Sequence, residues 1–336
     1  VAVTRFAEGG TGLARLHRDM IVAVREEGAT RESRRFVLRR ISLDPPSEGV
    51  SGPSPTKSGR ITVLTAIEAR PRGSHVLVGS ADSEIAAVDL ASLQIRSMTQ
   101  PGAGGDARVQ WVGRSPNGRH TAWFTDGAEL TVATKNGLPL RRRSFLPESP
   151  TGLYAAAWLE DGSALVVGGG WTAPALVPVD PAEPVRFAPI KAVGTVHAMV
   201  VGPTGQVLVL DDGGVWLWAT VSNTMSRLDL TGRVGLADLQ RWGDDGLAVL
   251  TRTGLQLRRW HREGPPEAAA MLDVRGDRIV VAHSGRRLVT VRRNVLEVHD
   301  LPGGGLLATF EDDDDIALAA LSEDGSSLLS RTREAP

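Results

Sequence analysis

The sequence predicts an all-β chain built from repeated four-stranded antiparallel sheets, and three observations carry that expectation. A glycine-marked turn recurs at intervals of 39 to 45 residues, at Gly73, Gly118, Gly162, Gly205, Gly246, Gly285 and Gly325. Turn formers precede each glycine, as in Ser115-Pro116-Asn117 and Ser322-Glu323-Asp324, and a short apolar run follows it. Helical periodicity is nearly absent. Self-similarity at this spacing marks a repeat architecture, in which most of the sequence serves a scaffold.

Residues 108–145 show how one repeat is written. An alternating apolar segment at 108–113 leads into the Ser115-Pro116-Asn117-Gly118 turn. The segment 120–124 is rich in strand formers, and Thr125-Asp126-Gly127 then supplies a hairpin turn. A third strand is expected at 129–133, a turn at Lys135-Asn136-Gly137, and a fourth strand within 138–145. By the same reading, second strands fall near 20–24, 75–79, 120–124, 164–168, 206–210, 247–250, 287–291 and 327–330. Third strands fall near 35–42, 85–89, 129–133, 174–179, 215–218, 254–260 and 294–299.

A sheet of about 40 residues cannot bury both of its faces alone, and radial stacking of such sheets buries both while leaving only short edges. The expected architecture is therefore a single β-propeller over residues 1–336. The last repeat supplies only two strands before the chain stops. Val1 to Phe6 alternates suitably to join them, so closure is expected through pairing of N- and C-terminal strands. The segment 44–60, rich in proline, glycine and serine, is expected to be a flexible surface loop.

Composition narrows the function classes. Net charge is −1, so no global field favours nucleic acid or an anionic membrane. No apolar run approaches the roughly 20 residues of a spanning helix, and charges such as Arg5, Glu8, Arg15 and Asp19 interrupt any signal-peptide pattern. The absence of cysteine excludes disulfides, thiolate catalysis and cysteine-ligated metal. The 38 basic residues include only three lysines, Lys57, Lys135 and Lys191, a bias expected of a genome rich in G and C. The chain starts at Val1 rather than methionine, which suggests an excised domain or a processed product.

The stretch 288–301 followed by Gly303 to Phe310 resembles a WD-repeat unit. In that family the third strand ends in a Trp-Asp pair. The matching pairs here are Val88-Asp89, Val179-Asp180, Trp218-Ala219, Trp260-His261 and His299-Asp300, so no repeat holds both residues. The Gly-His pair that opens a WD repeat is also missing. The resemblance covers about 61–330 and identifies a divergent, WD-like propeller, bacterial and actinobacterial in character. It implies seven or eight four-stranded antiparallel blades: seven is commoner in the family, while counting second strands favours eight. Small residues on the blades are expected to replace the family's polar network.

No constellation in the sequence points to catalysis, a cofactor or a metal. His75, His120 and His283 adjoin the repeated turn in three repeats, and a ring of them at the axis is the one arrangement that would hold a metal. No His-Glu-x-x-His or spaced calcium-loop pattern occurs. The glycine runs at 168–170 and 303–305 lack a following helix and fit strand connections. Candidate partner contacts are Trp171, in a glycine-rich turn, the arginine run Arg141, Arg142 and Arg143, and the acidic run containing Asp312, Asp313 and Asp314. Alternation along a strand places neighbours on opposite faces, so an arginine run is not automatically a patch.

The expected function is a non-catalytic interaction or sensor module. The resemblance implies protein partners, other domains of the same polypeptide among them, in the C-terminal part of a larger bacterial signalling or defence protein carrying an ATPase, kinase or protease. The alternatives are a stand-alone propeller subunit of an ATPase-containing conflict system and a metal-dependent propeller hydrolase. A cytoplasmic location is expected, with neither membrane nor nucleic acid as partner.

Overall fold

The computed structural model describes residues 107–146, 152–170, 173–189, 194–228, 236–243, 245–260, 266–282 and 284–311. It also describes strand backbone at 2–5, 10–15, 19–25, 36–43, 46–47, 51–53, 64–69, 75–80, 85–89, 95–99, 316–321 and 327–332. Among these residues the strands pair into eight sheets.

In chain order, the first sheet holds Gly10–Arg15, Asp19–Arg25 and Phe36–Leu43, and the second Leu64–Ala69, His75–Ser80, Ile85–Asp89 and Ile95–Thr99. The third holds Val109–Arg114, His120–Thr125, Glu129–Thr134 and Pro139–Ser144, and the fourth Leu153–Trp158, Ala164–Gly169, Ala175–Pro178 and Arg186–Phe187. The fifth holds Val196–Val201, Gln206–Asp211, Gly214–Ala219 and Thr224–Arg227, and the sixth Leu236–Trp242, Gly246–Thr251, Gly254–Arg259 and Glu267–Leu272. The seventh holds Arg278–Val281, Arg287–Arg292, Val295–Asp300 and Leu306–Glu311. The eighth joins Ile316–Leu321 and Ser327–Thr332 to Ala2–Arg5.

Two sheets depart from the four-stranded antiparallel expectation. In the eighth, Ala2–Arg5 runs parallel to Ser327–Thr332, from Ala2 opposite Ser327 to Arg5 opposite Ser330, so that sheet has three strands and one parallel pair. In the first, the fourth position is shared by Pro46–Ser47 and Ser51–Pro53, both antiparallel to Phe36–Leu43. Part of the segment expected to loop at 44–60 therefore pairs. Proline donates no backbone hydrogen bond, which restricts such residues to the ends and edges of sheets.

Burial explains why the second strands are so plain in the sequence. Ala164–Gly169, Gln206–Asp211 and Gly246–Thr251 are buried at every position. A strand covered on both faces needs a continuous apolar run rather than alternation. The fourth strands, such as Glu267–Leu272 and Leu306–Glu311, are largely exposed sheet edges.

The chain divides into two compact units, 10–197 and 198–336 with 1–9. Within the first, Leu77, Ile85, Val109, Val112, Trp123 and Ala133 pack the second sheet on the third. Phe124, Leu130, Phe145, Leu153, Trp158, Leu165 and Val177 pack the third on the fourth. Within the second, Leu208, Leu217, Leu239, Leu247 and Trp260 pack the fifth on the sixth, and Leu250, Leu257, Ile279, Val281 and Leu288 pack the sixth on the seventh. Within each unit, these sheets thus bury faces against their neighbours in the sequence.

The repeated turn has the expected left-handed glycine at Gly118, Gly162, Gly205 and Gly285, with φ between 68° and 75°. In the sixth sheet that role falls to Gly243, at φ 62°, and Gly246 instead begins a strand. The glycines at 168–169 also lie in a strand rather than a connection. A Cβ at Gly168 would stand 2.8 Å from the Val196 side chain, so glycine there permits close approach of the next sheet.

Candidate functional site

The first strand of most sheets opens with a bulge. The register slips by one residue between Gly10 and Gly12, Leu64 and Ala66, Val109 and Trp111, Leu153 and Ala155, Leu236 and Asp238, and Ile316 and Leu318. A bulge leaves one residue unpaired and re-aims its side chain. In the third and fourth sheets the extra residues are Gln110 and Tyr154. His197 follows buried Val196 just as Gln110 follows Val109 and Tyr154 follows Leu153. All three are exposed, Tyr154 to 51%.

The frame beneath this row is well tied. Arg108 N–H donates to Asp126 Oδ1 at 3.0 Å, and Asp126 N–H returns a bond to the Arg108 carbonyl at 2.9 Å. Gly170 N–H donates to the Gly152 carbonyl at 3.3 Å and bridges to Thr195. These links join the start of each first strand to the hairpin between second and third strands. The third and fourth sheets therefore present an amide and a phenol from equivalent bulge positions, and His197 presents an imidazole at the second residue of Val196–Val201. Tyrosine combines a large apolar ring with a hydroxyl, the combination that anchors protein interfaces.

In the sixth sheet the bulge residue is Ala237, and the residue after it, Asp238, is half-buried. Asp238 accepts hydrogen bonds from Leu239 N–H at 2.7 Å and from Ile279 N–H of the seventh sheet at 3.0 Å. Burial pushes its carboxyl above the ordinary 3.8, against the lowering effect of these bonds and of Arg278.

The arginine run does not form one patch. The Arg141 guanidinium donates to the carbonyls of Pro178 at 2.9 Å, Asp180 at 3.2 Å and Glu183 at 2.7 Å. It ties the fourth strand of the third sheet to the hairpin of the fourth. The Arg143 guanidinium lies 5.0 Å from the Phe145 ring centre and 5.7 Å from that of Phe187. Arg142 alone of the three is exposed, as strand alternation requires. Trp171, Asp312, Asp313 and Asp314 lie outside the described residues. So do the side chains of His75 and His283, whereas His120 lies over Trp158, ring centres 6.4 Å apart. Among the described residues, no three acidic or histidine side chains gather as a metal site would need.

Sequence reasoning missed the row at Gln110, Tyr154 and His197. Its trace in the sequence is faint: an apolar residue followed by a large polar or aromatic one at the head of the first strand in these three sheets, and not in the others.

No family model matches the chain, and no curated protein matches it in sequence. Solved structures share its fold. The Chaetomium thermophilum Sqt1 structure, bound to the N-terminus of ribosomal protein L10, is 13% identical, with TM-score 0.69 over 98% of this chain and 96% of that one. The β-propeller domain of Myceliophthora thermophila Cps50 (Swd1) is 12% identical, with TM-score 0.64 over 81% and 93%. A chain of the mitotic checkpoint complex is 15% identical, with TM-score 0.60 over 83% of each. At such identities the likeness establishes the fold alone: an all-β β-propeller.

Proposed function

We propose that this propeller is a non-catalytic protein-interaction module over residues 1–336, acting in the cytoplasm as the recognition arm of a bacterial signalling or defence protein. The observation that carries the reading is the row Gln110, Tyr154 and His197, three exposed side chains, each second in its strand, on a hydrogen-bonded frame. A backbone frame tied in this way leaves no loop to be ordered on binding, which spares part of the entropic cost. The propeller bound to the ribosomal L10 N-terminus illustrates the same use of the fold by another protein. The strong preference for arginine over lysine supports the bacterial, GC-rich assignment.

Site-specific cross-linking tests the reading. A photoreactive phenylalanine analogue placed at Tyr154 in source cells is expected to capture one protein partner, and the same analogue at exposed Leu138 is not. Tyr154→Ala should weaken that partner's binding by about tenfold or more, the loss of one anchor residue. Capture of the same proteins from both positions, or unchanged affinity in Tyr154→Ala, would overturn it. The intact mass of the native polypeptide separates two forms of the proposal. A species far above 35.7 kDa makes the propeller one part of a multidomain protein, and one near that mass makes it a separate subunit.

A further inference from the structure

A polar cleft of about 440 Å³ lies in the second unit, lined by Asp273, Arg275, Thr290, Arg292, Val295 and Glu297. Its floor is one face of the seventh sheet. Thr290 pairs with Glu297 and Arg292 with Val295 across the second and third strands, so all four side chains share that face. The wall is the connection from the sixth sheet, where a Cβ at Gly276 would meet Thr290 Cβ at 3.0 Å. Glycine at 276 therefore lets the connection press onto the sheet.

The charges in the cleft are largely uncommitted. Glu297 is half-buried, yet its nearest polar neighbours, Thr290 Oγ1 and His299 Nε2, both stand 3.5 Å from Oε2. Contacts at that length are the weakest that count as hydrogen bonds. The Arg292 side chain is exposed and makes no hydrogen bond or ion pair to the described residues. Among the described residues, Arg275 meets only Asp273, at 3.4 Å and in solvent. The cleft thus combines a carboxylate at the floor, the apolar flank of Val295, and two guanidinium groups with free donors at its mouth.

We propose that this cleft binds an ammonium group with a carboxylate beside it, presented by a peptide with adjacent basic and acidic residues or by a free basic amino acid. The ammonium reaches Glu297, behind whose carboxylate the buried Thr290 hydroxyl lies. The methylene stem of a lysine lies along Val295. The neighbouring carboxylate meets the Arg292 and Arg275 guanidinium groups, whose planar donor arrays suit it. A half-buried carboxylate gains more from a cation than an exposed one, because solvent screens it less. The site and ligand class go beyond the partner reading above and depend on none of its residues.

The test uses the whole chain and three probes: acetyl-Lys-Glu-amide, acetyl-Gln-Glu-amide and free lysine. Binding is read from amide chemical shifts at Gly276 and Val295 and from titration calorimetry. Saturable binding of acetyl-Lys-Glu-amide is expected, about tenfold weaker once a charge-assisted contact is lost in acetyl-Gln-Glu-amide or in Glu297→Gln. Arg292→Gln, at an exposed position, serves as a second variant and should weaken the same probe. Free lysine binding as tightly as the dipeptide would assign the cleft to an amino acid; weaker binding would assign it to a peptide. Absence of binding by all three probes, or binding indifferent to Glu297→Gln and Arg292→Gln in folded protein, would overturn the proposal. Cross-linking at Tyr154 is unaffected by either result, so the two readings fail separately.

Discussion

The contact between the third and fourth sheets and that between the sixth and seventh solve the same packing problem with different chemistry. The first is aromatic: Phe124, Phe145 and Trp158 share the core with aliphatic residues. The second is aliphatic, built on Leu250, Leu255, Leu257, Ile279 and Leu288, with Trp242 at its border. The polar links differ as well. Asn117 Nδ2 donates to the Asp161 carbonyl at 2.8 Å, and Arg141 grips three carbonyls of the neighbouring hairpin. In the other contact, Trp242 Nε1 donates to the Gly285 carbonyl at 2.7 Å, and Ile279 N–H reaches the half-buried Asp238 carboxylate. Yet Asn117 and Trp242 both aim at a carbonyl of the next repeated turn, 44 and 43 residues on. The repeat sets where a link is needed, and many donors fill it.

The widest break in this comparison is expected in the cores. Phe124→Ala should destabilise the chain by about 3–5 kcal/mol, and Leu288→Ala by about 2–5 kcal/mol, because each leaves a cavity in a dense interior. Urea denaturation of both variants checks it, and equal losses would mean that ring packing adds nothing special to the first contact.

Next in size is the carboxylate. Asp238→Ala strands the Ile279 and Leu239 N–H groups and should cost about 1–3 kcal/mol. Arg141→Ala exposes its carbonyl partners nearer to solvent and should cost less, about 1 kcal/mol for hydrogen bonds whose partners water can replace. A larger loss for Arg141→Ala would reverse the ranking of the two contacts.

The same pair differs in pH response. Folding raises the Asp238 pKa above 3.8, so just above that pH the folded chain binds more protons than the unfolded one. Stability from this group is greatest below 3.8 and declines as pH rises through the raised value. Denaturation midpoints across that range, compared with Asp238→Asn, should show this decline in the parent and not in the variant. A parallel course in both would remove Asp238 as its source.

The smallest effect is expected at the turn rungs. Asn117→Ala and Trp242→Phe each delete one donor to a turn carbonyl, and each should cost about 0.5–1.5 kcal/mol by the net worth of a hydrogen bond. Hydrogen exchange at the Gly162 and Arg286 amides, beside those carbonyls, would locate the loosening. A loss confined to one variant would show that the two rungs are not equivalent.

Much of the fold was legible from local pattern. The second strand expected near 206–210 is Gln206–Asp211, and the third expected near 254–260 is Gly254–Arg259. Strands buried on both faces must be apolar at every step, and that requirement is written residue by residue. The fourth strands were faint because an exposed edge such as Thr224–Arg227 imposes no such pattern. The turn glycine assigned to Gly246 proved to be Gly243, since Gly-Asp-Asp-Gly offers two equally good candidates. The arginine run at 141–143 was visible as composition, but only the structure gave Arg141 to neighbouring carbonyls and left Arg142 exposed.

The sequence alone determined the repeat, its period, the sheet class and the places of the second and third strands, because burial and turn geometry act on neighbours along the chain. Tertiary structure alone decided the bulges that set out Gln110 and Tyr154, the Asp238 link to the seventh sheet, and the cleft holding Glu297 and Arg292. Each of these depends on register between strands or on a partner some 40 residues away. A one-residue slip in register changes which side chains meet while leaving the apolar pattern of either strand untouched.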